Sequence, residues 1–246
     1  MISSNSIKLT QYIKTNYNDA DNYAFEHFCE QLFDCSLNDD IQALTVLQRY
    51  QIAFSLWKTF SSKVNDSNKI IIEPLLQQGI TPNGTAIHII TSNMAFLVDS
   101  ISELIYSLGY KISIFLHPVL TKSVTNKTLL ATNQQQIKQY NGESVIYIEL
   151  LNQLDSNTES VLVNNIEQLL SNINVVTNDW SEMLEQIDSV IFANNKLNHN
   201  YDLNSFMRWL TQDNFVFLGH YIFPLNNSSE DNSNKKSLGI LRECNA

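Results

Sequence analysis

A run of alternating strand and helix patterns between Thr85 and Ile173 constrains the fold of this chain more than any other feature of its sequence. Residues 85–91 are rich in β-branched side chains, which favour strands. Residues 111–117 and 143–150 alternate between apolar and polar positions, as strands with one buried face do. We therefore expect three strands, with one helix after the first strand and another after the third.

Both predicted helices have a single apolar face. The first is expected to begin with Asn93 as its N-cap and to end at Gly109, because glycine tolerates the left-handed C-cap conformation. The second opens with Ser156 and Glu159 at the spacing of a capping box. Their apolar positions recur every three or four residues, at Leu97, Ile101, Leu104 and Leu108 in the first helix and at Leu162, Ile166, Leu169 and Ile173 in the second.

The flanking segments extend this pattern on both sides. Residues 21–62 have helical periodicity, and residues 69–73 form a short β-branched run that is a candidate strand. Two further amphipathic helices are predicted at 181–192 and 202–211. The aromatic run 214–223 is then predicted to be a strand that closes the sheet late in the chain.

Together these elements predict an α+β fold, a ferredoxin-like βαββα…β sandwich with an N-terminal helical segment and a helix pair inserted before the last strand. The expected boundaries are 1–68 for the helical segment and 69–225 for the sandwich, with the inserted helices at 178–213. Residues 226–246 are expected to be a polar loop and the start of a further, truncated segment. Helices would cover one face of the sheet, and water or a partner the other.

The composition excludes several classes of partner. The formal net charge is −10, and no basic stripe could follow a phosphate backbone, so neither nucleic acid nor an anionic membrane is an expected partner. The most apolar segments, 112–120 and 215–223, are about half as long as a membrane-spanning helix. No secretory signal pattern opens the chain, and its three cysteines are an odd number that predicts no disulfide framework. We expect a cytoplasmic protein.

The sequence also predicts no catalytic, cofactor-binding or metal-binding residues in this chain. Its six glycines are too dispersed for a dinucleotide or phosphate loop, so no nicotinamide cofactor is expected to bind here through a Rossmann domain. His27, Cys29 and Cys35 are the one conceivable metal cluster, but ordinary helix packing explains them better. Asp99 and Glu103 are expected to face water.

Two further sets of residues could have a role. His88 and His117 are expected to lie within strands and could meet across the sheet, although half-buried, hydrogen-bonded histidines are the simpler interpretation. The turn Ser92, Asn93 and Met94 is the candidate effector site, because backbone N–H groups at a helix N-terminus can hold a carboxylate. An ordinary N-cap by Asn93 or Ser92 is the alternative that the sequence favours.

Several short sequence motifs resemble those of a known protein family. The run Met94–Ser100, followed by residues 117–120, resembles the N-terminal signature of the large bacterial NAD-dependent glutamate dehydrogenases. Further matches follow in the same order at 143–144, 148–149, 179–180, 208–210, 213–219 and 238–242. The resemblance covers roughly residues 21–242, nearly the whole chain.

The resemblance implies an ACT-like region at the N-terminus of a much longer subunit, whose catalytic domain lies downstream. The whole enzyme would oxidise L-glutamate to 2-oxoglutarate and ammonia with NAD. This part would be non-catalytic, with regulatory and assembly roles. The implied partners are other domains of the same chain, further copies in a homo-oligomer, and an amino-acid effector.

Some alternatives stay open. A free-standing, amino-acid-sensing ACT-like module would have the same sequence features. The length of the parent gene distinguishes such a module from the N-terminal region of a dehydrogenase. A small hydrolase or transferase has no residues to support it. Phe215, Phe217, Tyr221 and Phe223 are one candidate docking row, although core packing is the interpretation that the pattern favours.

Overall fold

The computed structural model describes residues 4–19, 22–34, 43–63, 67–75, 84–122, 129–131, 142–196, 201–222 and 237–245. The chain divides into two compact units, Met1–Glu167 and Gln168–Ala246, and each is described by itself.

In the part of the first unit that the structure describes, the chain begins with three helices, α1 (Ser4–Asn16), α2 (Asn22–Asp34) and α3 (Val46–Ser61). Helix α3 starts with a capping box, in which Thr45 accepts from the backbone N–H of Gln48 and the Gln48 side chain accepts from the backbone N–H of Thr45. The predicted helical region 21–62 therefore contains α2 and α3, and residues 35–42 between them lie outside the described residues.

Six strands form the sheet of the first unit: β1 (Lys69–Pro74), β2 (Thr85–Ser92), β3 (Ile112–Leu116), β4 (Val119–Lys122), β5 (Leu129–Ala131) and β6 (Glu143–Leu150). The spatial order is β1-β2-β6-β4-β5, and β3 pairs with β6. Every paired neighbour is antiparallel. Strand β6 thus lies between β2 and β3, the two strands that helix α4 (Leu97–Ser107) connects.

Helix α4 differs from its prediction at both its start and its buried face. It begins at Leu97, and its buried residues are Leu97, Ile101 and Ile105. Leu104 is only partly buried, and Leu108 is exposed because it lies beyond the last helical turn. The left-handed conformation predicted for Gly109 is confirmed: the residue follows the C-cap Leu108, its φ is +83°, and its N–H donates to the carbonyl of Tyr106.

Both faces of the central strands are covered. Ala86, Ile90, Val145 and Tyr147 belong to one hydrophobic core together with the three N-terminal helices. The alternate residues, Ile87, Ile89, Ile146 and Ile148, point to the other face and have no exposed surface. The expected open or partnered face is therefore wrong, because the chain's own N-terminal helices pack on it. Within this core, aromatic rings of α2 and α3 pack against one another, among them Phe25, Phe28, Trp57 and Phe60.

A single helix replaces two predicted ones. Helix α5 (Ser156–Lys196) runs for 41 residues without the break expected before Ser181. Its first turn is capped by Asp155, whose carboxylate accepts from the backbone N–H of Thr158 at 2.8 Å. The predicted capping residue Ser156 lies inside the helix, because Asp155 already supplies the oxygen that the first turn needs. The boundary between the two units falls within this helix.

The second unit contains helix α6 (Tyr201–Trp209), a π-helical turn (Leu210–Asn214), a two-stranded ribbon of β7 (Gly219–His220) and β8 (Leu238–Gly239), and a 3-10 segment (Ile240–Asn245). Val176, Met183 and Leu238 form its small core, with Trp180 and Phe217 packed against it.

The closing strand predicted at 214–223 is wrong. Of its described residues, 214–222, only Gly219 and His220 are in a strand, and they pair with Leu238 and Gly239 rather than with the six-stranded sheet. The sheet edge next to β2 is already taken by β1. Of the aromatic row, Phe217 packs in the small core while Phe215 is 55% exposed, and Phe223 lies outside the described residues.

Within the described ranges, no helix combines the length and the apolar character that crossing a bilayer requires.

Candidate functional site

The predicted effector turn lies between β2 and α4, but it is not the helix cap. Strand β2 ends at Ser92, and the N-cap residue of α4 is Phe96, which has a left-handed φ of 68°. The capping role predicted for Asn93 or Ser92 is therefore wrong. The physical reason is that Asn93 has other partners: its N–H donates to the carbonyl of Gly142 at 2.8 Å.

The side chain of Asn93 belongs to a hydrogen-bonded set on the neighbouring strands. The hydroxyl of Ser144 donates to Oδ1 of Asn93 at 3.0 Å, and Nε2 of His117 lies 3.0 Å from the same hydroxyl oxygen. Burial lowers the pKa of His117, which favours its neutral form. The next register pair is Ser92 and Glu143, and Glu143 forms an ion pair with the buried Lys63, whose Nζ lies 2.6 Å from Oε1 of Glu143.

These contacts place the turn against β6 and surround it with polar groups. Met94 and Asn93 are partly buried, and Ser92 is exposed. Of the three predicted residues, the structure therefore connects Asn93 to Ser144 and, through it, to His117, while Ser92 pairs with Glu143. His88 is not part of this group, because its register partner on β6 is Tyr147 rather than Ser144, and its Nδ1 contacts the hydroxyl of Thr59.

A second polar cluster lies on the sheet face that the N-terminal helices cover. The strand register places Glu73 of β1 opposite Ala86 of β2, and Ala86 opposite Glu149 of β6. Ala86 is the small central member of this row, with a carboxylate on each side. The adjacent row contains His88 and Tyr147.

Each polar side chain of this cluster has at least one hydrogen-bond partner. The hydroxyl of Tyr147 donates to Oε1 of Glu149 at 2.7 Å, and the hydroxyl of Ser55 on α3 donates to Glu73. Nδ1 of His88 lies 2.9 Å from the hydroxyl oxygen of Thr59, and its Nε2 lies 3.7 Å from Oε1 of Glu73, too far for a hydrogen bond.

Burial determines the protonation of His88 and Tyr147. Desolvation lowers the pKa of His88 to about 4, although the Glu73 carboxylate acts in the opposite direction. Desolvation, helped by the charge of Glu149, raises the pKa of Tyr147 well above its usual value. At neutral pH, His88 is therefore uncharged and Tyr147 keeps the proton that it donates to Glu149.

A cavity of about 310 Å³ opens between α3 and this part of the sheet. Its polar wall contains Ser55, Glu73, Tyr147 and Glu149, and its apolar wall includes Ile52, Phe54, Leu75 and Ala86. Sequence reasoning missed this site. The sequence does contain a signal for it. Val145, Tyr147 and Glu149 are alternate residues of one strand and therefore lie on the same face of the sheet. A second layer of structure packed on that face would bury the carboxylate of Glu149.

The other residues considered in the sequence do not gather into a site. Among the described residues, no three His, Cys, Asp or Glu side chains are close enough together to hold a metal ion. Cys29 is buried in the helical core, and burial raises the pKa of its thiol, which favours the unreactive protonated form. Cys35 lies outside the described residues. Asp99 and Glu103 are exposed, as predicted.

The antiparallel sheet, with a helix connecting two strands that flank a third, is compatible with an α+β domain of the ACT-like class. The family model described as the glutamate dehydrogenase ACT1 domain matches residues 28–166, more than half of the 246 residues. The chain therefore belongs to the glutamate dehydrogenase ACT1 domain family, which confirms the resemblance seen in its sequence. No curated protein matches the chain.

Proposed function

We propose that this chain is the N-terminal regulatory and assembly region of a NAD-dependent glutamate dehydrogenase and is itself non-catalytic. The whole enzyme would convert L-glutamate to 2-oxoglutarate and ammonia with NAD as oxidant. The family match over residues 28–166 is the observation that carries this proposal.

The strand order supports a ferredoxin-like topology for this region. In a βαββαβ unit, the third strand lies between the first two, and the fourth strand borders the first. Here β2, β3 and β6 have the positions of the first three strands, and β1 has the edge position of the fourth. We infer that the N-terminal strand replaces the C-terminal one in this unit.

We propose that NAD binds to a different domain of the parent enzyme. A dinucleotide needs glycines where a strand turns into a helix, so that the pyrophosphate can approach the helix N-terminus. The described glycines with positive φ are Gly109, which follows the end of α4, and Gly239, which lies in the β7–β8 ribbon. Neither position suits a pyrophosphate.

An assay of this chain with L-glutamate and NAD tests the non-catalytic role. We expect NADH formation no faster than in a control without protein. Turnover above that background, lost on heat denaturation, would contradict the proposal. Sequencing the gene beyond the codons of this chain tests the parent: a continuous reading frame for a dehydrogenase domain supports it, and a stop codon favours a free-standing sensor.

We further propose that the turn of Ser92, Asn93 and Met94 binds the carboxylate of an amino-acid effector. The support is local: the turn precedes the N-terminus of α4, and Asn93, Ser144 and His117 surround it with hydrogen-bonding groups. A thermal-shift screen of the amino acids tests it. A ligand at a hundred times its dissociation constant stabilises a fold by about 2.7 kcal/mol.

The variant Asn93→Ala should abolish such stabilisation, whereas Asn164→Ala, on the exposed surface of α5, should not. A screen without any stabilising amino acid would argue for a purely structural role. We also propose a cytoplasmic location and a homo-oligomeric parent, and sedimentation of the full-length enzyme tests the oligomeric state.

A further inference from the structure

The cavity between helix α3 and the sheet has the size and the polar groups of a ligand-binding site. Ala86 lies between Glu73 and Glu149 in one cross-strand row, so the backbones of the two glutamates are about 10 Å apart, two strand spacings. Because the alanine side chain is a single methyl group, space remains above it between the two carboxylates. The cavity of about 310 Å³ occupies this position and lies at the lower end of small-ligand pockets.

The charge in the cavity is negative at its inner end. Glu149 has no exposed surface and accepts from the Tyr147 hydroxyl, while the Glu73 side chain is 44% exposed at the outer side. His88, beside Glu73, is neutral at pH 7 and supplies no positive charge. Lys58 is also a lining residue, but its ammonium lies over the Phe54 ring, 4.2 Å from the centroid.

The remaining walls are apolar. The apolar lining consists of the side chains of Ile52, Phe54 and Leu75, and the ring of Tyr147 also borders the cavity. A carboxylate that is taken out of water is stabilised by a charge-assisted hydrogen bond from a cation, and such bonds are about twice as strong as neutral ones. A ligand that fits these walls combines one cationic donor group with a short hydrocarbon part.

We propose that this cavity binds a small molecule with a protonated primary amine, held between the carboxylates of Glu149 and Glu73, with its carbon chain against Ile52, Phe54 and Leu75. The site is separate from the effector turn. Ala86 and Ser92 are six residues apart along β2, which is about 20 Å. The proposal therefore does not depend on the glutamate dehydrogenase assignment or on the turn.

Titration of the whole chain with n-butylammonium, followed by two-dimensional NMR of the backbone amides, tests the proposal. A ligand of this size is expected to bind in the range of about 1–10 mM. Saturable shifts should concentrate at α3, β1 and β6. n-Butanol and butyrate, which match its size without the positive charge, should produce none. Failure of butylammonium to saturate these amides, or equal effects of butanol or butyrate, would overturn the proposal.

Conservative variants locate the binding groups. Glu149→Gln keeps the size of the side chain but removes its charge, and should weaken butylammonium binding by at least about tenfold. Glu73→Gln, at the half-exposed side, should weaken it by about threefold. The exposed Glu103→Gln is the matched control and should change nothing.

Ala86→Val adds two methyl groups at the floor of the cavity and should block binding without any change of charge. Circular dichroism and the midpoint of thermal unfolding check that each variant is folded. If Glu149→Gln does not fold, Glu73→Gln and Ala86→Val still decide the question. Unchanged affinity in every folded variant among these three would show that butylammonium binds elsewhere and would refute the site.

Discussion

Gly239 shows how a single residue can restrict the chain. Its φ is +61°, and a Cβ atom there would lie 2.1 Å from the carbonyl oxygen of Leu218, the residue that precedes the paired strand β7. We expect Gly239→Ala to destabilise the second unit by at least about 2 kcal/mol, since left-handed backbone strain adds to a backbone clash. Urea unfolding, followed by hydrogen exchange of the amides in residues 237–242, measures the loss.

Gly109 provides the matched control for this prediction. Its φ is +83°, but a Cβ atom there would meet nothing within 4 Å. Gly109→Ala should therefore cost only the strain of the left-handed conformation, about 1 kcal/mol. Equal losses in the two variants would mean that the contact with Leu218 contributes nothing.

The buried His88 predicts a specific dependence of stability on pH. Its pKa is lowered to about 4 in the folded chain from 6.5, so between these values the unfolded chain binds more protons. The stabilisation is complete above about pH 6.5 and is lost as the pH falls toward 4. At pH 5 the loss is about 2 kcal/mol. Denaturant unfolding of the chain and of His88→Gln at pH 7 and pH 5 isolates this contribution.

The wild-type chain should lose about 2 kcal/mol more than His88→Gln between these two pH values. Loss of the Thr59 contact affects the variant at both pH values and cancels in the comparison. Identical pH dependence in the chain and in His88→Gln would refute the neutral, buried state of His88.

At the scale of residues, the sequence identified Gly109 as the left-handed residue at the end of α4 but misassigned Asn93. A C-cap depends on the backbone freedom of one residue, which the sequence states directly. The partners of Asn93, Gly142 and Ser144, are about fifty residues away in sequence. No local pattern could show that they compete with the helix N-terminus for its hydrogen bonds.

At the scale of elements, helix α3 depends on its capping box. Thr45 is exposed, so Thr45→Ala removes little packing but leaves the backbone N–H of Gln48 without the hydroxyl acceptor. We expect a loss of about 1 kcal/mol in the free energy of unfolding. Ser160→Ala, at an exposed position inside α5, should change stability by less than about 0.5 kcal/mol. A similar effect of both changes in urea unfolding would contradict the capping role.

The elements were predicted best where their pattern is local. The strands 85–91, 111–117 and 143–150 and the helix between the first two are present within a few residues of their expected bounds. The break expected before Ser181 is absent because no residue there interrupts helical hydrogen bonding, and α5 continues to Lys196. The aromatic run 214–223 is predicted as a long strand, but strand formation depends on a pairing partner, and among its described residues only Gly219 and His220 have one.

At the scale of the whole molecule, each unit has its own core. In the second unit, the buried carboxylate of Asp179 accepts from the N–H of Gly239 at 2.7 Å and from Nε of Arg242 at 2.6 Å, and also pairs with Nη2 of Arg242. It therefore joins the 3-10 segment and strand β8 to helix α5. Breaking a buried charged contact of this kind costs about 1–3 kcal/mol.

We expect Asp179→Asn to raise hydrogen exchange in residues 237–242, because the amide forms weaker bonds to the guanidinium and the glycine N–H. Asp188→Asn, on the exposed side of the same helix, is the control and should leave exchange unchanged. Amides of β2 serve as the reference for the first unit. Unaltered protection of residues 237–242 in Asp179→Asn would show that the carboxylate does not hold this segment.

The sequence by itself determined the α+β class, the central succession of strands and helices, and the family resemblance, because periodicity and turn chemistry are properties of neighbouring residues. Tertiary structure alone decided that β1 borders β2, that the N-terminal helices cover the face expected to be open, and that Glu73 and Glu149 flank Ala86. These features depend on contacts between residues far apart in the chain, where the free energy of burial and pairing selects among arrangements that are locally equivalent.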